Sequence, residues 1–365
     1  METKLSKDSI VVGMDIHKYF HTAVALDILG NRQMSESFSN DKLDDFVFLL
    51  GKLGTKQHIV VGMEDIGGHG LHVARRLMKE EFDVRYVPAI ITDRFRKHSV
   101  HREKNDWEDA RRVGLAILHR SEEALPASSS IPKNYEEVRT LDLMLSEREM
   151  LVREQTILKN VLHNLLHQHY GNGYKQDFSN PFSPQRISWY QQDLSKKSGK
   201  QQGYLAESIG RRLKRLAMIQ EQVKEITTTI TNISKDNQEL KLLRGNLKGC
   251  GVLTACKIIA EVKTIERFAT KDKLARYAGI APTDHGSAGK IRLHTDFSGN
   301  RKLNRAIHTV ALFQLGNNGL PQAKAYMARK VAEGKTKRWG LRCLKRQVIN
   351  RVFAILSKQP IVNIA

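Results

Sequence analysis

The sequence predicts a mixed α/β domain followed by an all-helical remainder, α/β plus all-α in class. Three observations lead there. The first 90 residues carry short apolar runs of strand type, broken by turn residues. From about residue 134 onward, apolar residues recur at helical spacing over long stretches. The charge is one-sided: 60 Lys+Arg stand against 39 Asp+Glu in 365 residues, a formal net charge of +21. Such an excess costs self-repulsion unless a polyanion offsets it, so nucleic acid is the expected partner. The excess is concentrated: 16 Lys/Arg and only two acids, Asp296 and Glu333, follow residue 289.

Taken in order, "SIVVGMDIH" (9–17) and "FHTAVALDI" (20–28) read as buried strands, and "LGNR" turns into a third, "QMSESFSN" (33–40). "KLDDFVFLLGKL" (42–53) is a helix that Asp41 can cap and Gly54 can end. "HIVVGMED" (58–65) is a strand, "HGLHVARRLMKEE" (69–81) a helix and "DVRYVP" (83–88) a strand. Three strands in succession, then alternating helix and strand, give a mixed sheet with helices on its faces. That order is compatible with a ribonuclease-H-like fold. The domain is expected over 1–123, with "ALPASSSIP" at the heart of a linker spanning 124–133.

Residues 134–243 read as a helical arm. Two long helical stretches, near 134–169 and 205–243, flank a Gly-, Ser- and Pro-containing break or insert at 171–202. This pattern suggests an antiparallel coiled coil, with two packed bundle helices as the plainer reading. The remainder, 244–365, forms a further domain. "LKGCGVLTACKIIAEV" (247–262) places Gly249 and Gly251 in a tight turn before an apolar helix. This resembles a helix-hairpin-helix element, whose backbone N–H groups can meet a phosphate. "IAPTDHGSAGKIRLHTDFSGN" (280–300) reads as loop, and helices resume at 301–315, 321–333 and near 338–357.

No apolar run of about 18 residues is present, so no membrane partner is expected. The polar opening "METKLSKDSI" lacks the pattern of a cleavable signal. Cys250, Cys256 and Cys343 cannot all pair and show no CxxC spacing. They point to a reducing, cytoplasmic setting and against structural zinc.

Four acids stand out. Asp15 interrupts an apolar strand, where a carboxylate is expensive unless it is paired or ligates a cation. Glu64 ends a second such strand. In "HREKNDWEDARR" (101–112), Asp106 and Asp109 fall one helical turn apart and face one way. Carboxylates from three elements suit a hard cation such as Mg²⁺, with Mn²⁺ as a substitute, and a two-metal site would serve phosphoryl transfer. Singly, each acid has a plainer role: Asp106 as a helix cap, Asp109 as a partner of Arg112. Asp65 and Glu108 read as neighbouring decoys, and Glu103 as a surface charge.

As a set, "GMDIHK", "VGMEDIGGHG" and "REKNDWEDARRVGLA" resemble the DEDD transposases of insertion-sequence family 110. "LKGCGVLTACKIIAEV", "FATKDKLARYAGIAP", "HGSAGKIR" and "GNRKLNRAIHTVA" resemble the second conserved domain of that family. The resemblance spans roughly 10–120 and 240–315. It implies a RuvC-like domain whose four acids fall on Asp15, Glu64, Asp106 and Asp109. It also implies a serine five residues after the proline of "GIAP", which is Ser287 here, forming a covalent 5′-phosphoserine link to DNA. A structured non-coding bridge RNA that pairs with donor and target DNA would guide the reaction. A homo-oligomer, dimer or tetramer, would join the RuvC-like domain of one subunit to the serine domain of another. A nucleoid-associated location follows. The chain departs from the family's usual Pro-Gly-x-Gly hairpin by carrying Lys248 before Gly249, and the 171–202 insert has no assigned counterpart.

A serine hydroxyl is a weak nucleophile at neutral pH. Ser287 has His285 and His294 near it in sequence but no evident triad, so metal held by the acids is the expected source of activation. Ser298, in "FSGN", is the rival nucleophile. Lys290, Arg292, Arg301, Lys302 and Arg305 are expected to contact nucleic-acid phosphates. Two other functions fit parts of the pattern. A metal-dependent RuvC-like Holliday-junction nuclease using water would need the acids and leave Ser287 idle. A non-catalytic nucleic-acid-binding protein would leave both unexplained.

Overall fold

The computed structural model describes residues 5–98, 105–121, 124–127, 131, 135–175, 180–196, 203–287, 290–295 and 299–358. The chain divides into two compact units, residues 1–135 with 263–269, and residues 136–262 with 270–365.

In the first unit, β1 (Ile10–Ile16), β2 (Phe20–Leu26) and β3 (Arg32–Ser39) form an antiparallel meander. β4 (Ile59–Met63) pairs parallel with β1, and β5 (Asp83–Tyr86) parallel with β4. The stretch read as a linker supplies a two-residue strand, β6 (Leu125–Pro126), antiparallel to β5. Ala124 and Ala127 are buried beside it, which gives this stretch a reason to stay on the sheet. The sheet order is β3-β2-β1-β4-β5-β6.

Strand alternation sorts the faces. Val12 and Met14 of β1, with Val61 and Met63 of β4, pack with Phe46 and Leu50 of α1 (Leu43–Leu53) and Val73 and Leu77 of α2 (Leu71–Lys79). Val11 and Val60 point the other way, toward α3 (Ala89–His98) and α4 (Asp106–His119), where they meet Ile91, Val113 and Ile117. Each such side chain contributes about 1.5–3 kcal/mol when fully buried. Helix α3 was absent from the sequence expectation, because "AIITDRFRKH" follows a strand with only Val87 and Pro88 between them.

In the second unit, α5 (Tyr135–Tyr170), 36 residues long with only its first residue in the other unit, runs against α7 (Gly203–Ile233) of 31. Arg148 donates to Thr227 at 2.7 Å and Glu154 meets Arg215 at 2.5 Å, so numbers rise on one helix as they fall on the other: the pair is antiparallel. The described residues of the expected break, 171–175 and 180–196, pack as structure rather than loop. A short turn at Gly171–Lys175 and α6 (Pro184–Lys196) pack Tyr174, Phe182, Ile187 and Tyr190 against Leu162, Leu166, Leu213 and Leu216. Its aromatic content outweighs the Gly and Ser that made it resemble a loop.

Helices α8 (Gln238–Asn246) and α9 (Val252–Val262) meet at the expected tight turn. Gly249 there has φ +88°, and a Cβ would come within 2.6 Å of Phe313, so glycine is required on both counts. After α10 (Lys271–Tyr277), the stretch expected to be loop forms a β-hairpin, β7 (Pro282–Ser287) and β8 (Lys290–Thr295). The polar–apolar alternation of "KIRLHT" is the strand signal that the glycines and serines masked. α11 (Arg301–Leu315), α12 (Pro321–Ala332) and α13 (Lys337–Leu356) complete the unit, within a residue or two of expectation. Among the described residues, no helix is long and apolar enough to cross a membrane.

Candidate functional site

The parallel register of β1 and β4 runs from Ile10 opposite Ile59 to Met14 opposite Met63. One step further along the same register are Asp15 and Glu64. Alternation sends Asp15 to the face of Gly13 and Glu64 to the face of Gly62, the α4 side of the sheet. The sequence thus sets two carboxylates side by side at the ends of adjacent strands.

Helix α4 brings the other two acids. It lies so close to β1 that a Cβ on Gly13 would stand 2.0 Å from the Ala110 carbonyl oxygen and 2.3 Å from the Gly114 nitrogen. Only glycine permits this approach. Asn105, not Asp106, caps the helix, accepting the Glu108 N–H at 2.8 Å. Asp106 and Asp109 are therefore free of capping duty in the first turn, where the positive end of the helix dipole favours them.

One ligand atom each from Asp15, His17 and Asp106 lie within 4.8 Å of one another. His17 Nε2 is 3.2 Å from Asp15 Oδ2 and 3.5 Å from Asp106 Oδ1. This nitrogen is buried and makes no directed hydrogen bond, so three donors converge without satisfying each other. Burial raises the Asp15 pKa, His17 pulls it down, and Asp109 and Asp106 raise it again, for a net rise. Glu64 remains open to solvent, yet local burial of its carboxyl raises its pKa most. Thr92, which donates to it, acts against this, and Asp15 and Asp109 add to the rise. Asp109 also pairs with the buried Arg112 at 2.6 Å. Carboxylates that repel one another, with an unsatisfied imidazole among them, fit a divalent cation. Among the described residues, Asp15, His17 and Asp106 are the ones whose ligand atoms come together; Glu64 and Asp109 act on the site electrostatically but stand outside that group.

His17 was not singled out from sequence, although a signal existed: two residues after Asp15 on an extended chain, it returns to the same face. Asp65 is structural, since its carboxylate accepts the backbone N–H groups of Gly67, Gly68 and His69 at 3.0, 2.6 and 2.8 Å. Glu108 pairs loosely with Arg111 at 3.8 Å. Glu103 lies outside the described residues.

Ser287 is the last residue of β7, opposite Lys290 at the start of β8. The side chains of Ser287, Lys290 and Arg292, and of His285 and His294, lie outside the described part of the structure, as does Ser298 entirely. Of the other expected phosphate contacts, Arg301 and Arg305 line a cavity of the second unit. Lys302 turns to acids of its own chain, Asp142 at 3.3 Å and Glu261 at 3.6 Å. Burial lowers its pKa, but those two acids prevail and hold it above the ordinary value. Cys250 and Cys256 are free thiols pushed up by burial to about 12 and about 11, which leaves them inert at neutral pH.

Two family models match the chain. One, described as a transposase and named for the DEDD acids of IS110 elements, matches residues 12–171; the other, "Transposase IS116/IS110/IS902 family", matches residues 243–328. Together they take in well over half of the chain. The "Insertion element IS110 uncharacterized 43.6 kDa protein" of Streptomyces coelicolor is 38% identical over 112 residues, which is 30% of this chain and 27% of that protein. The match thus spans about a quarter of that relative's length. The chain belongs to the IS110 family of DEDD transposases.

Proposed function

We propose that the protein is a DNA transposase of recombinase type, excising and inserting an element by strand exchange through a 5′-phosphoserine at Ser287. The observation that carries this reading is the convergence of Asp15, Asp106 and His17, with Glu64 beside Asp15 in register. The sheet supports a RuvC-like, ribonuclease-H-like domain: an antiparallel three-strand meander whose first strand is followed outward by two parallel strands.

A divalent cation held by the acids, Mg²⁺ or Mn²⁺, would supply Lewis acidity, stabilising charge on phosphoryl oxygens and favouring an alkoxide. In the cleavage step, Ser287 Oγ forms a bond to phosphorus and the bond to the 3′ oxygen breaks. The serine proton ends on that oxygen, which leaves as a 3′-hydroxyl. The energy of the phosphodiester is kept in the serine ester, so attack by the 3′-hydroxyl of another strand restores the DNA backbone and the serine. A structured non-coding RNA pairing with donor and target DNA would choose the strands. A homo-oligomer would combine the acids of one copy with the serine of another.

The decisive test mixes full-length protein, guide RNA, Mg²⁺ and end-labelled DNA, then denatures the mixture. Wild type is expected to carry a covalent DNA adduct, and Ser287→Ala to lose it. An adduct at the wild-type level in Ser287→Ala would shift the assignment to Ser298. The acid cluster lies wholly within the first unit, which favours a second reading, a nuclease using water. Cleavage with no adduct at any stage would select it.

A further inference from the structure

A cavity of about 350 Å³ opens in the second unit, a volume typical of ligand sites (roughly 300–1,000 Å³). Its walls are two helices with matched spacing. Arg301, Arg305 and His308 occupy positions i, i+4 and i+7 of α11. Arg338, Arg342 and Lys345 repeat the same spacing on α13. Like charges at i, i+4 weaken a helix, so each stripe costs stability. Among the described residues that line the cavity, none is acidic. Burial, then Arg342 and Arg301, push Lys345 down to about 8, and burial and Lys345 lower His308. Burial and crowded cations make positive charge costly here, and an anion seated in the cavity would relieve that cost.

Its position identifies the anion. Gly279 and Gly299 complete the wall, and they bracket the hairpin that ends β7 at Ser287. A Cβ on Gly299 would stand 2.2 Å from the Gly279 nitrogen, so the two roots of the hairpin touch at the cavity.

We propose that the basic cavity between α11 and α13 seats the phosphodiester backbone of the DNA strand presented to the β7–β8 hairpin. The choice of DNA rests on the reading of Ser287 as a DNA nucleophile; the phosphate chemistry rests on the cavity. Arg338, Arg342 and Lys345 thereby join the DNA contacts. Planar guanidinium groups can grip phosphate oxygens in pairs.

The test uses full-length Ser287→Ala protein, which cannot form the adduct, and a labelled single-stranded DNA of about 20 nucleotides. Adding Arg338→Gln and Arg342→Gln is expected to weaken binding about tenfold and to flatten the log K versus log salt slope by about 1.4, two lost phosphate contacts. Lys330→Gln with Lys335→Gln removes the same charge outside the cavity and is expected to leave the slope within error. An unchanged slope in the cavity variant, or an equal change in the control, would overturn the proposal. If the double variant loses its helical circular dichroism, Arg338→Gln alone, at an exposed position, carries the test with half the slope change. An RNA of the same sequence forms the second arm: a loss confined to RNA would overturn the assignment to DNA. Because binding is read without cleavage, a wild-type protein that forms no adduct refutes the role of Ser287 and leaves this measurement standing.

Discussion

Lys345 shows how a single residue reports the cost of a functional surface. Its Nζ donates to Asn304 Oδ1 at 2.5 Å, while Arg301, Arg305 and His308 on α11 and Arg338 and Arg342 on α13 share its cavity. Its folded pKa is about 8 against an ordinary value of 10.5. Between those values the unfolded chain binds more protons than the folded one, so stability should rise with pH through that window. Below about 8 the lysine is charged in both states and the full penalty remains. Lys345→Met should be more stable than wild type near neutral pH and should lose that part of the upward slope. Urea midpoints of both proteins from pH 7 to about 10 measure it. Parallel pH profiles would mean that Lys345 is relaxed in its site.

At the scale of elements, the sheet–helix contact at Gly13 decides whether the acids meet. The α4 backbone occupies the space that any side chain on Gly13 would need, and backbone cannot rotate away. Gly13→Ala should therefore cost about 3 kcal/mol, at the upper end of overpacking penalties. It should also push the first turn of α4, with Asp106 and Asp109, away from Asp15. Gly51→Ala in α1 is the control, since nothing stands within 4 Å of its added methyl. It should gain up to about 1 kcal/mol from helix propensity. Equal urea midpoints for the two variants would refute the close-packing argument. The motif "VVGMD" made Asp15 and its strand legible, because an acid in an apolar run is a local signal. The glycine that lets α4 approach was legible only as a letter, since its role lies in a partner a hundred residues away. His17 was missed for a related reason: its closeness to Asp15 was legible in sequence, but Asp106 joins them only after folding. The β7–β8 hairpin and α6 were missed because Gly, Ser and Pro composition spoke louder than the alternation of Ile291 and Leu293 or the aromatic set around Tyr190. The long helices α5 and α7, by contrast, repeat one period so often that their existence needed no tertiary context, although the stretch expected to stay helical to 243 ends at Ile233 and resumes as α8 from Gln238, capped by Asn237.

At the scale of the whole molecule, the proposed chemistry draws on two units: the acids belong to the first and Ser287 to the second. If a homo-oligomer pairs the acids of one copy with the serine of another, the two defects can be separated. Asp15→Asn removes a carboxylate charge at nearly constant shape, and Ser287→Ala removes the nucleophile. Alone, neither protein should form a DNA adduct. Co-expressed in equal amounts as a dimer, half of the assemblies should contain one copy of each. In such an assembly, one composite site has both defects and the other has none, because the intact acids of the Ser287→Ala copy face the intact serine of the Asp15→Asn copy. Adduct should thus return to about a quarter of the wild-type level. A site built within one copy predicts no recovery, since every copy then carries a defect in its own site. Differently tagged copies, purified through both tags in succession, enrich the mixed assemblies and raise the expected recovery to about half. Purified mixed assemblies that bind DNA with wild-type affinity and form no adduct would exclude the shared site.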